Sequence, residues 1–286
     1  AFVTARYRDS WPESNANSVV MANRLFAPTS WQSGTQFRLS NFGLEFGSRN
    51  FLPVQDMVVL RLGWLQPQRE FLDQPLSKLF LNNAISSRKG IGSNVFFGGS
   101  FSTWGGTIEL HPTESFYVKN GLFMSYPQGT STTNHGLAFQ GFAPDPSLNG
   151  LYYIGETGVL PDIGPSKLPG RYAFGGYFFG TPNGQTRTWS GTQVDGRYGF
   201  YFQADQMIFR ESQDEKVKKA DLQGLRTFNM LTFAPGFATQ NQFPFYFQSG
   251  LVYKGLVPSR DKDLLLAAVG YGAYQGGVGN PPASYS

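Results

Sequence analysis

Between Gly196 and Ser212 the chain reads GRYGFYFQADQMIFRES, and its side chains change character at every second position. Tyr198, Phe200, Phe202, Ala204 and Ile208 form one series, broken by Gln206. Arg197, Tyr201, Gln203 and Asp205 form the other, which turns apolar at Met207 and Phe209. Successive side chains of a strand leave on opposite faces, so this period of two predicts a β-strand with an aromatic face and a hydrogen-bonding face. FRLSNFGLEFGSR sets Phe42, Leu44 and Phe46 against Asn41, Gly43 and Glu45. DMVVLRLGWLQP places Val58, Leu60, Leu62 and Trp64 opposite Arg61, and FPFYFQSGLVYKG places Phe245, Phe247, Leu251 and Tyr253 opposite Tyr246, Gln248 and Lys254. GLYYIGETGVL carries Glu156 among apolar neighbours, and PGRYAFGGYFFG alternates aromatics with Gly175 and Gly176. About a dozen such segments of roughly ten residues occur, the length of a tilted strand that crosses a bilayer. Soluble sandwiches more often use strands of about five or six residues.

Composition agrees with an all-β chain rich in turns. Gly 35 and Pro 18 are high, aromatics reach 16% and charged residues only 15%, below the usual ~25%. No run approaches the ~18–20 apolar residues of a membrane helix. A mean hydropathy of -0.27 leaves a β-barrel open, because only half of each strand of a barrel faces lipid. The net charge of +4 is diffuse. Its one local basic run, Asp214 to Asp221, carries its own acids and reads as a solvated loop, not as a nucleic-acid site. The absence of cysteine removes disulfides, thiolate catalysis and Cys-ligated metals. No signal peptide opens the chain, which therefore reads as a mature protein or a portion of a longer one.

The polar series separates two explanations of the alternation. In a soluble sandwich the apolar face meets a second sheet, filled mainly by Val, Ile and Leu. In a transmembrane barrel it meets lipid, with water on the other side. Glu45, Arg61, Lys119, Glu156, Gln203, Asp205 and Lys254 fall at mid-strand, where charge is costly in a dry core and tolerable beside a wet channel. The balance favours a single β-barrel domain over residues 1–286. HPTES, His111 to Ser115, reads as a tight reversal, and longer polar connections such as SYPQGTSTTNHG, VLPDIGPSKLPG, GTPNGQTRTWSGTQVDG and RESQDEKVKKADLQG follow other strands. Short turns at one end and long loops at the other organise outer-membrane barrels. Asp73 to Ser86 departs from the β pattern. Leu76, Leu79, Phe80 and Asn83 are spaced as in a short helix, either a surface helix or an element that folds inward and narrows a pore.

Catalytic and metal chemistry find little support. His111 and His135 are isolated, no Cys accompanies them, and neither shows ligand spacing. Neither does any spacing join them to Ser100 or Ser131 as a hydrolase pair. GxSxG, HExxH and a Walker run are absent. GGSFSTWGG lacks the Lys of a phosphate loop and reads as a strand connection. A sugar-permeable channel needs paired hydrogen-bonding groups together with aromatic surface, each contact weak enough to release its cargo. By strand phase and charge, the candidates for pore lining and sugar binding are Arg61, Lys119, Glu156, Gln203, Asp205 and Arg226. A one-residue shift of phase would reverse their face.

Longer stretches resemble a known family. GRYGFYFQADQMIFRE, QGLRTFNMLTFAP and PFYFQSGLVYKGLVPSRDKDLLLAAVGYGAY are similar, in that order, to the carbohydrate-selective porins of the OprB family. LRLGWLQPQREF, LFLNNAI, HPTESFYVKNGLF, NHGL and LPGRYAFGGYF extend the resemblance over about Arg38 to Tyr274. It implies a 16-stranded outer-membrane barrel of a Gram-negative-type bacterium through which sugars diffuse passively, with no enzymatic step, cofactor or metal. Mono- and oligosaccharides and outer-membrane lipid are its implied partners, nucleic acid is not, and assembly into a homo-oligomer stays open. Glu70, Phe71, Asn82, Gln203, Asp205, Gln206, Arg210, Glu211, Lys254, Arg260 and Asp261 match the shared motifs. The pairs Arg210–Glu211 and Arg260–Asp261 are expected to anchor strand ends. Gln68 stands where the family carries an acid. About a dozen strands against sixteen implies a barrel incomplete at both ends. A non-selective channel for ions and small solutes, and a soluble sugar-binding β-sheet protein, are the alternatives.

Overall fold

Each alternating segment forms a strand, and consecutive strands pair. The computed structural model of the chain describes residues 2–8, 36–48, 57–86, 91, 102–125, 150–180, 186–187, 193–194, 196–211, 223–234 and 243–273. In chain order the strands are β1 (Phe2–Arg8), β2 (Gln36–Gly47), β3 (Val58–Leu65), β4 (Thr103–Thr113), β5 (Phe116–Met124), β6 (Leu151–Val159) and β7 (Asp162–Ile163). They continue with β8 (Leu168–Gly180), β9 (Thr186–Arg187), β10 (Gln193–Val194), β11 (Gly196–Arg210), β12 (Gly224–Phe233), β13 (Phe245–Lys254) and β14 (Leu264–Ala273). One path, β1-β2-β3-β4-β5-β6-β8-β11-β12-β13-β14, joins the long strands, every pairing along it antiparallel. The two-residue β7 pairs with β8, and β9 with β10. β1 and β14 are the edges of the described sheet.

In such a meander successive connections fall at alternate ends. The β4–β5 turn at Glu114 and Ser115 therefore shares an end with the β6–β8, β11–β12 and β13–β14 connections. VLPDIGPSKLPG and RESQDEKVKKADLQG lie at that same end, but the longest connections, β1–β2, β3–β4 and β5–β6, all lie at the other, so long connections gather mainly at one end. Hydrophilicity marks a loop, but which end it occupies is set only by the number of strands before it.

The faces sort by strand phase. Phe174, Phe178, Phe200, Phe202, Leu231 and Leu251 are exposed on the outer face, and Phe174 stacks on Phe200 with centroids 6.2 Å apart. Tyr152, Tyr177, Tyr201, Phe228, Tyr246 and Gln248 are buried on the other. The apolar turn at the end of β11 has a local cause. The register slips between Met207 and Phe209, and a bulge of this kind shifts the phase by one residue. Met207 consequently stays inside while Ile208 and Phe209 both face outward. Trp64 also departs from its expected exposure. It is buried in an edge-to-face cluster with Trp104, itself edge-on to Phe42.

Segment 66–86 leaves the sheet after β3 and lies across its inner face. Gln66 enters by donating its N–H to Asn41 Oδ1 at 2.9 Å. The turn α1 (Pro67–Glu70) follows, and Pro67 suits the first position because it has no N–H to leave unpaired. Phe71 and Leu72 then pack, fully buried, with Leu65, Phe123, Tyr152, Ile154, Tyr177, Phe179, Tyr201 and Met230. The helix expected over Asp73 to Ser86 is broken in two, a 3-10 turn at Ser77–Leu79 and a second α turn, α2 (Asn83–Ser86). Phe80 is extended between them, and Asn82 Oδ1 accepts the Ala84 N–H at 2.8 Å, which caps the restart. Leu76 and Phe80 bury their side chains against Ile85, Phe228, Val252 and Leu266.

Candidate functional site

A cavity of about 850 Å³ lies between segment 66–86 and the inner face of β2 to β12. Its charged lining is even in sign. Glu45, Glu70, Asp73, Glu109, Glu156 and Asp205 are balanced by Arg61, Arg69, Lys78, Lys119, Arg171 and Arg226. Cross-strand register explains how these residues come together. Glu45 faces Arg61, Glu109 faces Lys119, Lys119 faces Glu156, and Arg171 faces Asp205 on adjacent strands. Directly opposed side chains of opposite charge stabilise a pair of strands.

One ladder of ion pairs runs from β2 to β5 through the inward segment. Arg61 binds Glu45 at 2.6 Å and Glu70 at 2.9 Å. Lys119 lies 3.9 Å from the Glu70 carboxylate and 3.2 Å from Glu109, whose other oxygen meets His111 at 2.8 Å. Lys119 also donates to the Glu70 carbonyl at 2.7 Å and sits 5.3 Å from the Phe71 ring centroid.

A second assembly surrounds Glu156, whose side chain is only 2% exposed. Its Oε1 accepts Tyr117 Oη–H at 2.6 Å and Arg171 Nη2–H at 2.9 Å. Oε2 accepts Tyr201 Oη–H at 2.9 Å and Gln203 Nε2–H at 2.7 Å. Four donors from β5, β8 and β11 thus meet one carboxylate on β6, which compensates its burial. Two glycines create the space. A Cβ on Gly158 would lie 2.5 Å from the Tyr117 ring, and one on Gly175 would lie 2.3 Å from Tyr201 Cζ. Each tyrosine lies across the glycine opposite it in register, and this brings both hydroxyls to the carboxylate.

Arg171 joins wall and segment. Besides Glu156 it donates Nε–H to Tyr117 Oη at 3.1 Å and Nη1–H to the Asp73 carbonyl at 2.5 Å, with Asp205 Oδ2 4.0 Å away. At the far end, Gln74 Nε2 donates to the Asn229 carbonyl at 2.7 Å, Gln248 Nε2 donates to Gln74 Oε1 at 3.0 Å, and Tyr246 Oη donates to the Ala84 carbonyl.

Of the residues picked from the sequence, Arg61, Lys119, Glu156, Asp205 and Arg226 line the cavity. Gln203 is behind the lining, buried against Glu156. Arg171, Glu109, Tyr117 and Asp73 were missed. Arg171 shared the phase of Ala173, Gly175 and Tyr177 in PGRYAFGGYFFG, a signal that was present in the sequence. Asp73 lies outside any strand and had no phase to read.

The expected strand-end anchors differ in partner. Arg260 pairs with Asp263 at 2.5 Å, three residues on, and Glu211 accepts Tyr253 Oη–H at 2.9 Å. The turn after β13 brings residues three apart together, whereas adjacent residues such as Arg260 and Asp261 diverge. Gln206 accepts Tyr172 Oη–H at 2.9 Å and thereby ties β8 to β11. Gln68 is buried. His111 sits on Glu109, while His135, Ser100, Ser131 and the run Asp214 to Asp221 lie outside the described residues. Among the described residues no cluster of His, Cys, Asp and Glu could hold a metal, and no helix is long and apolar enough to cross a membrane.

A long-stranded antiparallel meander, greasy outside and lined inside by paired charges and an inward segment, is the architecture of an outer-membrane β-barrel of the porin class. The chain belongs to the carbohydrate-selective porins of the OprB family, whose model matches residues 14–280. It is an outer-membrane protein of the Gram-negative type. A solved structure of Pseudomonas putida OprB at high pH is similar, with 21% identity, a TM-score of 0.65 and coverage of 83% of this chain and 54% of that one. A low-pH structure of the same protein is 17% identical, with a TM-score of 0.48 and coverage of 83% and 52%. The chain thus spans about half the length of the solved relatives it matches. No curated protein matches it.

Proposed function

We propose that this protein forms a passive channel for mono- and oligosaccharides across the outer membrane, within a single β-barrel domain, and catalyses no reaction. The observation that carries this reading is the evenly signed lining of the 850 Å³ cavity, six acids and six bases. An unbalanced ring of charge selects ions of the opposite sign. Charges paired with one another leave a polar surface that favours neutral solutes with many hydroxyls. Family membership supports sugars as the solute class.

Within this reading the candidates divide by exposure. Arg61, Asp205 and Arg226 are half-buried on the cavity wall and meet the solute. Lys119 and Glu156 contribute buried side chains to the lining, and Gln203 is buried behind it. Groups already saturated by protein contacts are poor nucleophiles or bases, which supports a role without chemistry.

Liposome swelling tests the proposal. Sugars should enter proteoliposomes several-fold faster than amino acids or salts of matched size. Equal rates for all of them would leave a general diffusion pore and remove the selectivity.

A further inference from the structure

We propose that the outer face of β4, β5, β6 and β8, centred on Asn120 and Tyr153, is the surface through which two copies of this barrel pack side by side in the membrane. The inference uses the outer-membrane barrel and does not depend on which solute passes through it.

Strand phase puts Asn120 on the lipid side. Its neighbours face inward, Lys119 toward Glu109 at 3.2 Å and Gly121 toward Phe71, whose ring a Cβ there would meet at 2.6 Å. Asn120 is the central residue of β5, so its amide lies near the middle of the hydrocarbon, where a polar side chain is costly. The face around it is apolar, with Ile108, Leu122, Leu151, Val159, Phe174 and Phe178 exposed.

Tyr153 is drawn to the same spot. A lipid-facing tyrosine ordinarily turns its hydroxyl toward the headgroups. Tyr153 instead donates to Asn120 Oδ1 at 2.7 Å, toward the middle of its strand, because Asn120 stands opposite Gly155. The glycine makes room for this. A Cβ on Gly155 would lie 2.9 Å from Tyr153 Oη and 3.2 Å from Asn120 Oδ1. Thr157, exposed on the same face, donates its hydroxyl to the Tyr117 carbonyl at 3.3 Å. Asn120 differs. Among the described residues its side chain makes the one hydrogen bond at its oxygen, and Nδ2 carries two N–H donors besides.

A lipid tail offers nothing to those donors, whereas a second amide does. A carboxamide both donates and accepts, so two copies of Asn120 across a two-fold axis satisfy each other, each Nδ2–H meeting the opposite oxygen. That self-complementarity selects a second copy of this chain as the occupant. Four strands at ~4.8 Å spacing under an apolar band ~25 Å tall give about 500 Å² per copy, about 1,000 Å² in all, the size at which a specific interface begins. The comparable pair Ser249–Asn229, on β13 and β12, is half-buried, so the exposed pair carries the contact.

The chain has no native cysteine, so disulfide trapping reads the contact in vesicles containing the full-length protein, with cold-SDS gel mobility to certify folding. A residue beside a two-fold axis meets its own copy. Leu122→Cys should therefore cross-link into dimers on oxidation, while Leu44→Cys and Leu251→Cys stay single. Adding Asn120→Leu, which suits lipid better than the amide, should lower the Leu122→Cys dimer fraction about threefold or more. Asn120→Val serves where the leucine variant fails to fold. In mild detergent the parent should sediment as two copies and Asn120→Leu should shift toward one. A one-copy parent, with lipid alone covering the face, overturns the proposal. So do three copies, cross-linking through Leu251→Cys in place of Leu122→Cys, or a dimer that Asn120→Leu leaves intact.

Discussion

Glu156 shows what a single residue contributes here. Its carboxylate is surrounded by Tyr117, Arg171, Tyr201 and Gln203, all donating. Deleting one partner of a buried, hydrogen-bonded charge assembly costs more than the assembly is worth, because the others remain desolvated. Glu156→Ala should destabilise the folded protein by about 3–5 kcal/mol, read by urea unfolding in lipid vesicles. Glu156→Gln should cost less, because the amide oxygen still accepts while its NH₂ opposes a donor. Equal stability of all three proteins would contradict the assembly. The sequence displayed much of this site. Phase alone put Glu156, Gln203 and Asp205 on one face, because period-two alternation survives wherever strands are regular. It did not tell a solute contact from a buried structural acid, since that depends on Gly158 and Gly175 admitting the tyrosines.

At the scale of elements, segment 66–86 was legible as an interruption and not as a shape. Its apolar spacing suited one helix, yet helix propensity was overridden by tertiary burial. Phe80 turns toward Phe228, with ring centroids 5.5 Å apart, and Asn82 caps a new turn. Strands fared better because each is checked by two neighbours. Phe71 is the apolar anchor of the segment, edge-on to Phe123 at 6.4 Å and 1% exposed. Phe71→Ala should cost about 3–5 kcal/mol and free the segment for cleavage at protease levels that spare the parent. Cleavage confined to other loops would show that Phe71 does not hold it.

For the molecule as a whole, the alternation has one physical meaning, in which the environment outside the sheet is hydrocarbon and the environment inside is water and protein. Every backbone polar group in such a wall is satisfied by a neighbouring strand, so edges are intolerable in lipid. The antiparallel path meets this demand for every long strand between its edges, β1 and β14, whose outer sides it leaves to be closed. Fold class was legible because alternation is a property of every strand. The buried apolar clusters beneath the inner segment were not, because an inward Tyr or Phe at strand phase looks the same whether it meets water or a packed loop.

Cysteine scanning in reconstituted vesicles tests the central division most directly, and the chain has no native cysteine to confuse it. Single cysteines at Leu44, Phe200 and Leu251 should resist a membrane-impermeant thiol reagent, while a fluorophore attached there should be quenched by brominated lipid. Cysteines at Arg61, Asp205 and Arg226 should react with the aqueous reagent and escape the lipid quencher. The reverse pattern, or equal aqueous reactivity at all six, would contradict a wall with lipid on one side and a solute path on the other.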